Sequence, residues 1–436
     1  MLAILGYAMI CVFMFLIMTN RISALIALMV IPSIFALFAG FSFAKIGEMS
    51  LAGIEQLAPT GVMLMFAILY FGVMIDAGLF DPVVGKILKF VKGDPLKITL
   101  GTAVLVLLIS LDGDGTTTYM ITISAMLPLY KRIGMHPLIL AAIAVLGNSV
   151  MNITPWAGAM ARVVSALQLE MADVFVPLVP AMVGGSIWVL FTAYVFGLRE
   201  RKRLGVIDLG DFYSEQQKYS ENAATLEGVD TKRPKLRLIN FALTVALMVT
   251  LILGLVPLQY LFMIAFAVAI LINYPKLEEQ KARIAAHASN VLAVVSLVFA
   301  AGVFTGILSG TKMVDAMANS LVSIIPEAWG PHFAIITAVA SMPFTFFMSN
   351  DAYYFGILPI LAEAASTYGV PAVEVARASL MGPAVHLLSP LVASTYLLVG
   401  MVKVDFGEFQ RFTLLWAVGT SIIMIAVSLL TGAFSL

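Results

Sequence analysis

Long apolar runs separated by short polar breaks follow one another along the whole chain. Ten of them approach the roughly 20 residues that a helix needs to cross a bilayer. These runs lie near residues 2–19, 22–43, 57–80, 137–165, 174–197, 238–256, 258–274, 289–308, 372–402 and 410–434. The pattern predicts an all-α integral membrane protein with about ten transmembrane helices.

Two further apolar stretches, near 97–130 and 331–367, have polar or glycine-rich centres. We interpret each as a re-entrant hairpin, whose two arms enter and leave the membrane on the same side. Each half of the chain then crosses the membrane an odd number of times, so the two halves must be inverted. The predicted units are a first repeat (1–198), a polar linker (199–237) and a second repeat (238–436), a plan that recurs among secondary transporters.

The distribution of basic residues supports this topology. With the run Arg199–Arg203 placed in the cytoplasm, only Lys45 and Lys312 fall in external loops, and Arg162 and Arg377 fall at membrane depth. The cytoplasmic segments then hold 21 of the 25 Lys and Arg residues, which is the bias that the positive-inside rule describes. The polar linker is therefore predicted to be cytoplasmic and both termini external.

A weak internal repeat agrees with the inverted halves. Four residues of the first half have counterparts at a constant offset of 235 residues in the second half. These pairs are Gly134 and Gly369, Gly147 and Gly382, Thr154 and Ser389, and Pro155 and Pro390.

Composition narrows the class of protein. Hydrophobic residues make up 61% of the chain and charged residues 11%, against roughly 25% charged in soluble domains. The formal net charge is zero, which argues against a nucleic-acid partner. The single cysteine, Cys11, cannot form an intramolecular disulfide or a cysteine metal cluster. No hydrolase or nucleotide-binding motif is present, so we predict a transporter and not an enzyme.

The centre of the first hairpin is unusually polar for its surroundings. It reads Ser110-Leu-Asp-Gly-Asp-Gly-Thr-Thr-Thr-Tyr119. Ionisable groups inside a membrane are rare and by default mark the path of an ion or a substrate. The candidate substrate contacts are Thr116 and Thr117, and the candidate metal or proton sites are Asp112 and Asp114. The alternative is a polar external loop between two ordinary helices, which would reverse every later loop and spoil the charge distribution.

The second hairpin has a polar centre of the same kind, Phe347-Met-Ser-Asn-Asp-Ala-Tyr-Tyr354. Ser349 and Asn350 are candidate substrate contacts, and Asp351 is a third candidate metal or proton site. Inverted symmetry would bring the two hairpin tips together near the middle of the membrane. The alternative is an ordinary loop cap.

The runs that follow the hairpins are interrupted at 147–158 and 382–390. Proline removes a backbone donor and frees carbonyl groups, and each new half-helix N-terminus offers amide groups to an anion. His386, inside the second interruption, is a candidate proton site because histidine ordinarily titrates near neutral pH; the alternative is a packing hydrogen bond. The candidate substrate contacts at the interruptions are Asn148, Asn152, Thr154 and Ser389.

Two arginines lie near the interruptions. Arg162 and Arg377 are candidate carboxylate contacts, because a guanidinium group can bind a carboxylate through two parallel hydrogen bonds. Each could equally neutralise a nearby acid or reach towards the membrane interface.

Three strings carry a resemblance to a known family. They are Ala67-Ile-Leu-Tyr-Phe-Gly-Val-Met-Ile-Asp-Ala-Gly-Leu-Phe-Asp-Pro82, Lys92-Gly-Asp-Pro-Leu-Lys97 and Leu111-Asp-Gly-Asp-Gly-Thr-Thr-Thr-Tyr-Met-Ile121. Together with Thr154-Pro-Trp156 and Met348-Ser-Asn-Asp-Ala-Tyr-Tyr354, they resemble the bacterial citrate–divalent-metal/proton symporters over the full length of the chain. The Asp-Gly-Asp-Gly-Thr-Thr-Thr string is the specific part of the match.

The resemblance implies the fold of the ion-transporter superfamily, with a scaffold domain and a mobile transport domain that contains both hairpins. It also implies a homodimer in the bacterial cytoplasmic membrane and an elevator-like movement. Dicarboxylate/sodium relatives have Ser-Asn-Thr motifs at their hairpin tips. Asp-Gly-Asp-Gly-Thr and Ser-Asn-Asp stand at the tips here, which favours protons or a metal carried with the substrate over sodium.

The cargo implied by the resemblance is citrate complexed with a divalent metal of the magnesium or calcium class, taken up together with protons. No permanently bound cofactor is expected. Two alternatives stay open: a proton-coupled transporter of another small di- or tricarboxylate, and a cation/proton antiporter on the same fold. A passive channel is a different class, and broken inverted repeats argue for alternating access instead.

Overall fold

The computed structural model describes residues 2–19, 21–91, 93–206, 231–253, 255–323 and 326–436. All regular structure in these ranges is helical, so the predicted all-α class is confirmed. The centre of the predicted polar linker, 207–230, lies outside the described residues.

The first half of the chain folds into helices of very different lengths. They are α1 (Leu2–Met18), α2 (Ala24–Phe38), α3 (Phe43–Asp76), α4 (Asp81–Val91), α5 (Pro95–Ile109), α6 (Gly115–Ile133), α7 (Pro137–Met151), α8 (Gly158–Leu167), α9 (Met171–Phe175) and α10 (Val179–Leu204).

The second half repeats this alternation of long and short helices. They are α11 (Arg237–Leu253), α12 (Leu258–Asn273), α13 (Leu277–Gly310), α14 (Met313–Val322), α15 (Phe333–Phe347), α16 (Leu358–Ser366), α17 (Ala372–Ser379), α18 (Pro383–His386), α19 (Ala393–Val402) and α20 (Phe406–Leu430).

The predicted spans coincide with helical structure, but several bounds differ. α3 begins at Phe43 and α13 at Leu277, well before the predicted 57 and 289, and each has 34 residues. Such a helix is about 50 Å long, which exceeds the roughly 30 Å of hydrocarbon, so its polar first turns extend past the apolar layer. The basic run predicted to open the linker instead continues α10 to Leu204.

Within the described ranges, seven helices are long and apolar enough to cross a membrane. Five of them coincide with predicted spans, and the other two are the first arms of the hairpins, Pro95–Asp112 and Ala328–Phe347. The other five predicted spans consist of shorter or interrupted helices. The prediction of ten crossings therefore depends on the hydrophobic and charge patterns and not on helix length.

The first predicted hairpin is formed by α5 and α6. Asp94 caps α5 through a hydrogen bond from the Leu96 N–H, and proline occupies the first position of the helix, where its missing N–H costs nothing. A short 3-10 turn, Ser110–Asp112, ends at Gly113, whose φ of 79° lies in the left-handed region that glycine adopts at low cost. The chain reverses there, close to the centre of the predicted stretch.

The second predicted hairpin consists of α15, a wide helical turn over Ala352–Ile357, and α16. Its second arm ends before Gly369, which has a φ of 80°. Gly134, which ends the second arm of the first hairpin, has a φ of 79°. The two glycines paired by the sequence repeat therefore adopt the same left-handed backbone conformation after the second arm of each hairpin.

Both spans that follow the hairpins are broken, as predicted. The first consists of α7 and α8 with a non-helical segment between Met151 and Gly158. The second consists of α17, the single turn α18, and α19, with breaks on both sides of α18. Turn hydrogen bonds pair some backbone groups at these breaks, such as the Thr154 N–H with the Met151 carbonyl and the Ser389 N–H with the His386 carbonyl.

α3 and α13 pack against each other through glycines. Gly302 and Gly306 of α13 face Gly53 of α3. A methyl group on Gly306 would overlap the carbonyl oxygen of Met49, and one on Gly53 would overlap the carbonyl oxygen of Gly302. Small residues allow membrane helices to approach backbone to backbone, and α3 and α13 are closely packed in this way.

Gly306→Ala is expected to destabilise the protein by about 1–3 kcal/mol, because the added methyl group forces the two backbones apart. Thermal unfolding in detergent measures the effect. Gly47→Ala on α3 is the matched control, since a methyl group there meets nothing within 4 Å and alanine favours helix over glycine by about 1 kcal/mol. Equal melting temperatures for the two variants would contradict the packing argument.

Candidate functional site

The two aspartates at the first hairpin tip have different environments. Oδ1 of Asp112 accepts a hydrogen bond from the Asp114 N–H at 2.9 Å. Asp114 caps α6, because its carboxylate accepts from the N–H groups of Thr116 and Thr117 and from the Thr117 hydroxyl, at 3.1, 2.9 and 2.6 Å. Oδ2 of Asp112 is buried, with no hydrogen-bond partner among the described residues. Asp114 and Thr117 thus shape the tip, while Asp112 keeps one acceptor oxygen unused.

Trp156 fixes this tip against the first break. Its indole Nε1–H donates to the Leu111 carbonyl at 2.7 Å, and the side chain is nearly buried. Gly113 lies directly on the indole ring, since a Cβ built there would be 2.7 Å from Trp156 Cδ1. The hairpin tip and the start of α8 are therefore neighbours.

Asn148, near the end of α7, extends the same contact region. Its Nδ2 donates to the Tyr119 hydroxyl at 3.1 Å. A Cβ on Gly115 would lie 2.9 Å from Asn148 Nδ2 and 3.5 Å from Ser394 Oγ. The tip therefore also meets the start of α19, which the chain reaches in its second half.

Three helix N-termini meet at the first hairpin tip: those of α6, α8 and α19. The first N–H groups of α6 are already bonded to the Asp114 carboxylate. The N-termini of α8 and α19 have no side-chain cap, and their first N–H groups and partial positive charge suit an anion. The hydroxyl oxygen of Thr154, in the first break, is buried with no partner among the described residues. Asn152 is partly exposed beside it. This arrangement is suited to an anionic ligand that carries both hydrogen-bond donors and acceptors.

The second break is held by the first arm of the second hairpin. The Ser389 hydroxyl donates to the Phe346 carbonyl at 2.6 Å. Nδ1 of His386 lies 2.6 Å from the Thr345 carbonyl, so this nitrogen must carry the hydrogen and donate. Both side chains are buried. The structure therefore gives these two predicted site residues packing contacts.

The second hairpin tip contacts α8 through an ion pair. Arg162 Nε donates to Asp351 Oδ1 at 2.6 Å, and the side chains are 23% and 19% exposed. Ser349 Oγ accepts from the Ala352 N–H at 3.2 Å, and the neighbouring Asn350 is partly exposed. The ion pair therefore joins Arg162, a predicted site residue of the first half, to Asp351, a predicted site residue of the second half.

Arg377 is placed elsewhere. Its Nε and Nη2 donate to the Asp173 carbonyl at 3.0 and 2.6 Å, and Nη1 donates to the Ala433 carbonyl at 2.8 Å. These bonds occupy both edges of the guanidinium group and join α17 to the start of α9 and to the end of the chain. Of the two arginines predicted as carboxylate contacts, only Arg162 lies at a hairpin tip.

The candidate metal residues do not form a metal site by themselves. Across the described ranges, no group of three or more His, Cys, Asp or Glu side chains is close enough to hold a metal ion. Asp114 is committed to capping α6, and Asp351 is paired with an arginine, which is an unfavourable neighbour for a dication. The sequence gives Asp112, Asp114, Asp351 and His386 as metal or proton sites, and this assignment stays a prediction.

Sequence reasoning missed three residues that build the site. Tyr119 and Trp156 stand inside strings that the sequence singles out, but only the structure gives them partners. Ser394 follows the second break, and its position beside Gly115 depends on how the two halves pack.

One cavity lies outside this site. It is an open apolar groove of about 740 Å³ between α15 and α20. A second, of about 470 Å³, lies at the start of α20 beside Asp405 and Arg411. Neither is lined by a predicted site residue.

Trp156→Phe is expected to weaken the tip, because it leaves the Leu111 carbonyl without its donor, at a cost of about 1–3 kcal/mol. The affinity for the ligand and the melting temperature should both fall. Trp188→Phe is the control: it removes an indole bond to the Trp416 carbonyl and should lower stability alone. Equal binding by the two variants would contradict a role for the Trp156 bond in the site.

Comparison with known proteins now identifies the family. The family profile described as "Citrate transporter" matches residues 9–382. The chain belongs to the citrate transporter family. The resemblance seen in the sequence is thereby confirmed, and this member of the citrate transporter family is a membrane transporter and not an enzyme.

Three relatives from Bacillus subtilis (strain 168) match this citrate transporter family member over the whole of both chains. They are a "Citrate transporter" at 63% identity, a "Mg(2+)/citrate complex secondary transporter" at 57% and an "Uncharacterized transporter YraO" at 54%.

Two solved structures share the fold. The YdaH transporter of Alcanivorax borkumensis matches with a TM-score of 0.51 and 13% identity, covering 88% of this chain and 87% of that one. Neisseria gonorrhoeae MtrF, of a class described as antimetabolite efflux pumps, matches with a TM-score of 0.56 and 15% identity, covering 88% and 83%. These likenesses confirm the predicted fold class.

Proposed function

We propose that this chain takes up citrate complexed with a divalent metal, together with protons, by an elevator-like alternating-access movement. The observation that carries the proposal is the meeting of the uncapped N-termini of α8 and α19 at the first hairpin tip, where a buried acceptor oxygen of Asp112 has no partner among the described residues. Helix N-termini favour an anion, and the Asp112 oxygen favours a donor or a proton on that anion. A metal–citrate complex offers both.

The metal is bound mainly by citrate in this proposal. A divalent ion cancels two of the three charges of citrate, which lowers the cost of bringing it into a low-dielectric site. Magnesium keeps several of its waters and needs few protein ligands, in keeping with the absence of a three-acid group from the described residues. A relative of 57% identity is named for a Mg(2+)/citrate complex. Magnesium or calcium is therefore the proposed metal class.

The proposed contacts with citrate come from both halves of the chain. Asp112 Oδ2 accepts from the citrate hydroxyl or from a metal-bound water, and Arg162 binds a carboxylate. The oxygens of citrate are met by polar side chains of the breaks and tips: Thr116, Asn148, Asn152, Thr154, Ser349 and Asn350.

The rest of the proposed organisation follows the sequence. The protein acts as a homodimer in the bacterial cytoplasmic membrane, with the polar linker in the cytoplasm. The hairpins and broken helices move together as the transport domain, and the glycine-packed pair of α3 and α13 belongs to the scaffold. Another small carboxylate is the alternative cargo. A cation/proton antiporter is less well supported, because an arginine stands at the second hairpin tip.

Uptake of labelled citrate into proteoliposomes under an inward proton gradient tests the proposal. We expect uptake with Mg²⁺ or Ca²⁺ and background counts after both are removed with a chelator, because uncomplexed citrate carries two more negative charges. Collapse of the proton gradient with an ionophore should abolish accumulation. Citrate uptake at the same rate with and without the divalent metal would refute the metal–citrate complex as the cargo. Competition by other carboxylates would then identify the substrate.

A further inference from the structure

The ion pair between Arg162 and Asp351 joins α8 of the first half to the hairpin tip of the second half. The two residues are 189 positions apart, and their bond is 2.6 Å long. Each side chain is about one fifth exposed, so the pair is not sealed inside the protein.

The surroundings of the pair leave one edge of the guanidinium group open. Arg162 uses Nε for Asp351 and Nη1 for the Gly158 carbonyl, at 2.6 and 2.9 Å. No acceptor for Nη2 is recorded among the described residues. The titratable groups facing the pair are His386 of α18, within electrostatic range of both charges, and Tyr354, beside Arg162. His386 Nδ1 already donates to the Thr345 carbonyl.

We propose that a carboxylate of the bound complex displaces Asp351 from Arg162, and that the freed Asp351 carboxylate takes up one proton from solution. This inference rests on the function proposed above and deepens it by naming the groups that couple substrate to proton. No covalent bond changes: the carboxylate exchanges one ionic partner, and the proton binds an oxygen of Asp351.

Charge balance makes the two events interdependent. Citrate with three negative charges and a divalent metal form a complex of net charge minus one, whereas the Arg162–Asp351 pair is neutral. The complex alone would leave a partly buried carboxylate without a partner, which is costly. A proton alone on Asp351 would leave an unpaired guanidinium. Complex and proton together leave the site neutral, so each favours the binding of the other.

The variant Asp351→Asn tests this coupling, because the amide imitates the protonated acid. We expect accumulation of Mg²⁺–citrate driven by a proton gradient to fall about 5- to 150-fold, the usual range of coupling between two ligands. Exchange of external labelled for internal unlabelled Mg²⁺–citrate needs no net proton movement and should persist, with no dependence on pH. Proton-driven accumulation at the wild-type level would overturn the proposal.

Glu363→Gln is the matched control, since Glu363 is the other acid of the second hairpin stretch, 331–367. It should retain proton-driven accumulation. The double variant Arg162→Gln/Asp351→Asn leaves no unpaired charge, so it should fold but neither accumulate nor exchange the complex. Exchange by the double variant at the wild-type rate would show that substrate binding does not need Arg162.

A measurement on the wild type keeps the inference testable if Asp351→Asn does not fold. Binding of Mg²⁺–citrate to the purified protein in weak buffer should take up about one proton per complex. Binding without proton uptake would overturn the coupling alone. If wild-type protein neither binds nor transports Mg²⁺–citrate, the proposed function itself fails, so the two failures are distinguishable.

Discussion

Replacing Asp112 by asparagine is expected to lower the affinity for Mg²⁺–citrate about 5- to 150-fold, which corresponds to about 1–3 kcal/mol. The buried Oδ2 of Asp112 has no partner among the described residues and is the acceptor for a donor on the complex. An amide keeps the Oδ1 bond to the Asp114 N–H but presents N–H groups where the acceptor stood. The concentration dependence of citrate uptake measures the loss.

Asp114→Asn separates this effect from a general disturbance of the tip. Asparagine caps a helix about as well as aspartate, and its one amide oxygen can still accept from the Thr117 N–H and hydroxyl, which Oδ2 of Asp114 accepts in the wild type. Uptake should therefore stay near the wild-type level. If the two variants lose affinity equally, binding requires a well-ordered hairpin tip and does not depend on the Oδ2 atom of Asp112.

Gly115→Val is expected to reduce uptake as strongly, because it fills the space where the first hairpin tip meets α7 and α19. Its Cβ alone would lie 2.9 Å from Asn148 Nδ2 and 3.5 Å from Ser394 Oγ. Overpacking of this kind costs about 1–3 kcal/mol, and it moves two polar groups of the proposed site. Uptake rates should fall more than thermal stability does.

Gly400→Val is the matched control for that variant. It lies on α19, the helix that contains Ser394, but a Cβ there meets nothing within 4 Å. Its uptake should resemble that of the wild type. Normal uptake by Gly115→Val would show that the contact between the tip and α19 is not needed for transport.

The sequence predicts the helices, the two hairpins and the two breaks, because their signals are local. Polar residues and glycines inside apolar stretches predict where the chain reverses, and Pro155 and Pro390 predict where helices are interrupted. The capping role of Asp114 also has a local signal, since an aspartate before Gly-Thr-Thr at a helix start is a typical N-cap. The assignment of Asp114 to a metal or proton stays a prediction.

The partners of the charged residues could not be predicted, because they depend on how distant segments pack. Arg162 and Arg377 have similar sequence surroundings, yet one meets Asp351 and the other meets two backbone carbonyls. The length of α3 and α13 was also missed, because their polar first turns lack the apolar pattern used to mark spans. The inverted repeats and the role of each site residue stay predictions.

The pairing of Arg162 with Asp351 has a consequence for biosynthesis. The ribosome adds about 5–20 residues per second, so the 189 positions between the two residues correspond to about 10 to 40 s of translation. During that interval the nascent first half holds Arg162 without the Asp351 carboxylate that pairs with it in the folded protein. A ribosome stalled between the two codons would therefore leave a first half whose α8 carries an arginine without its ionic partner.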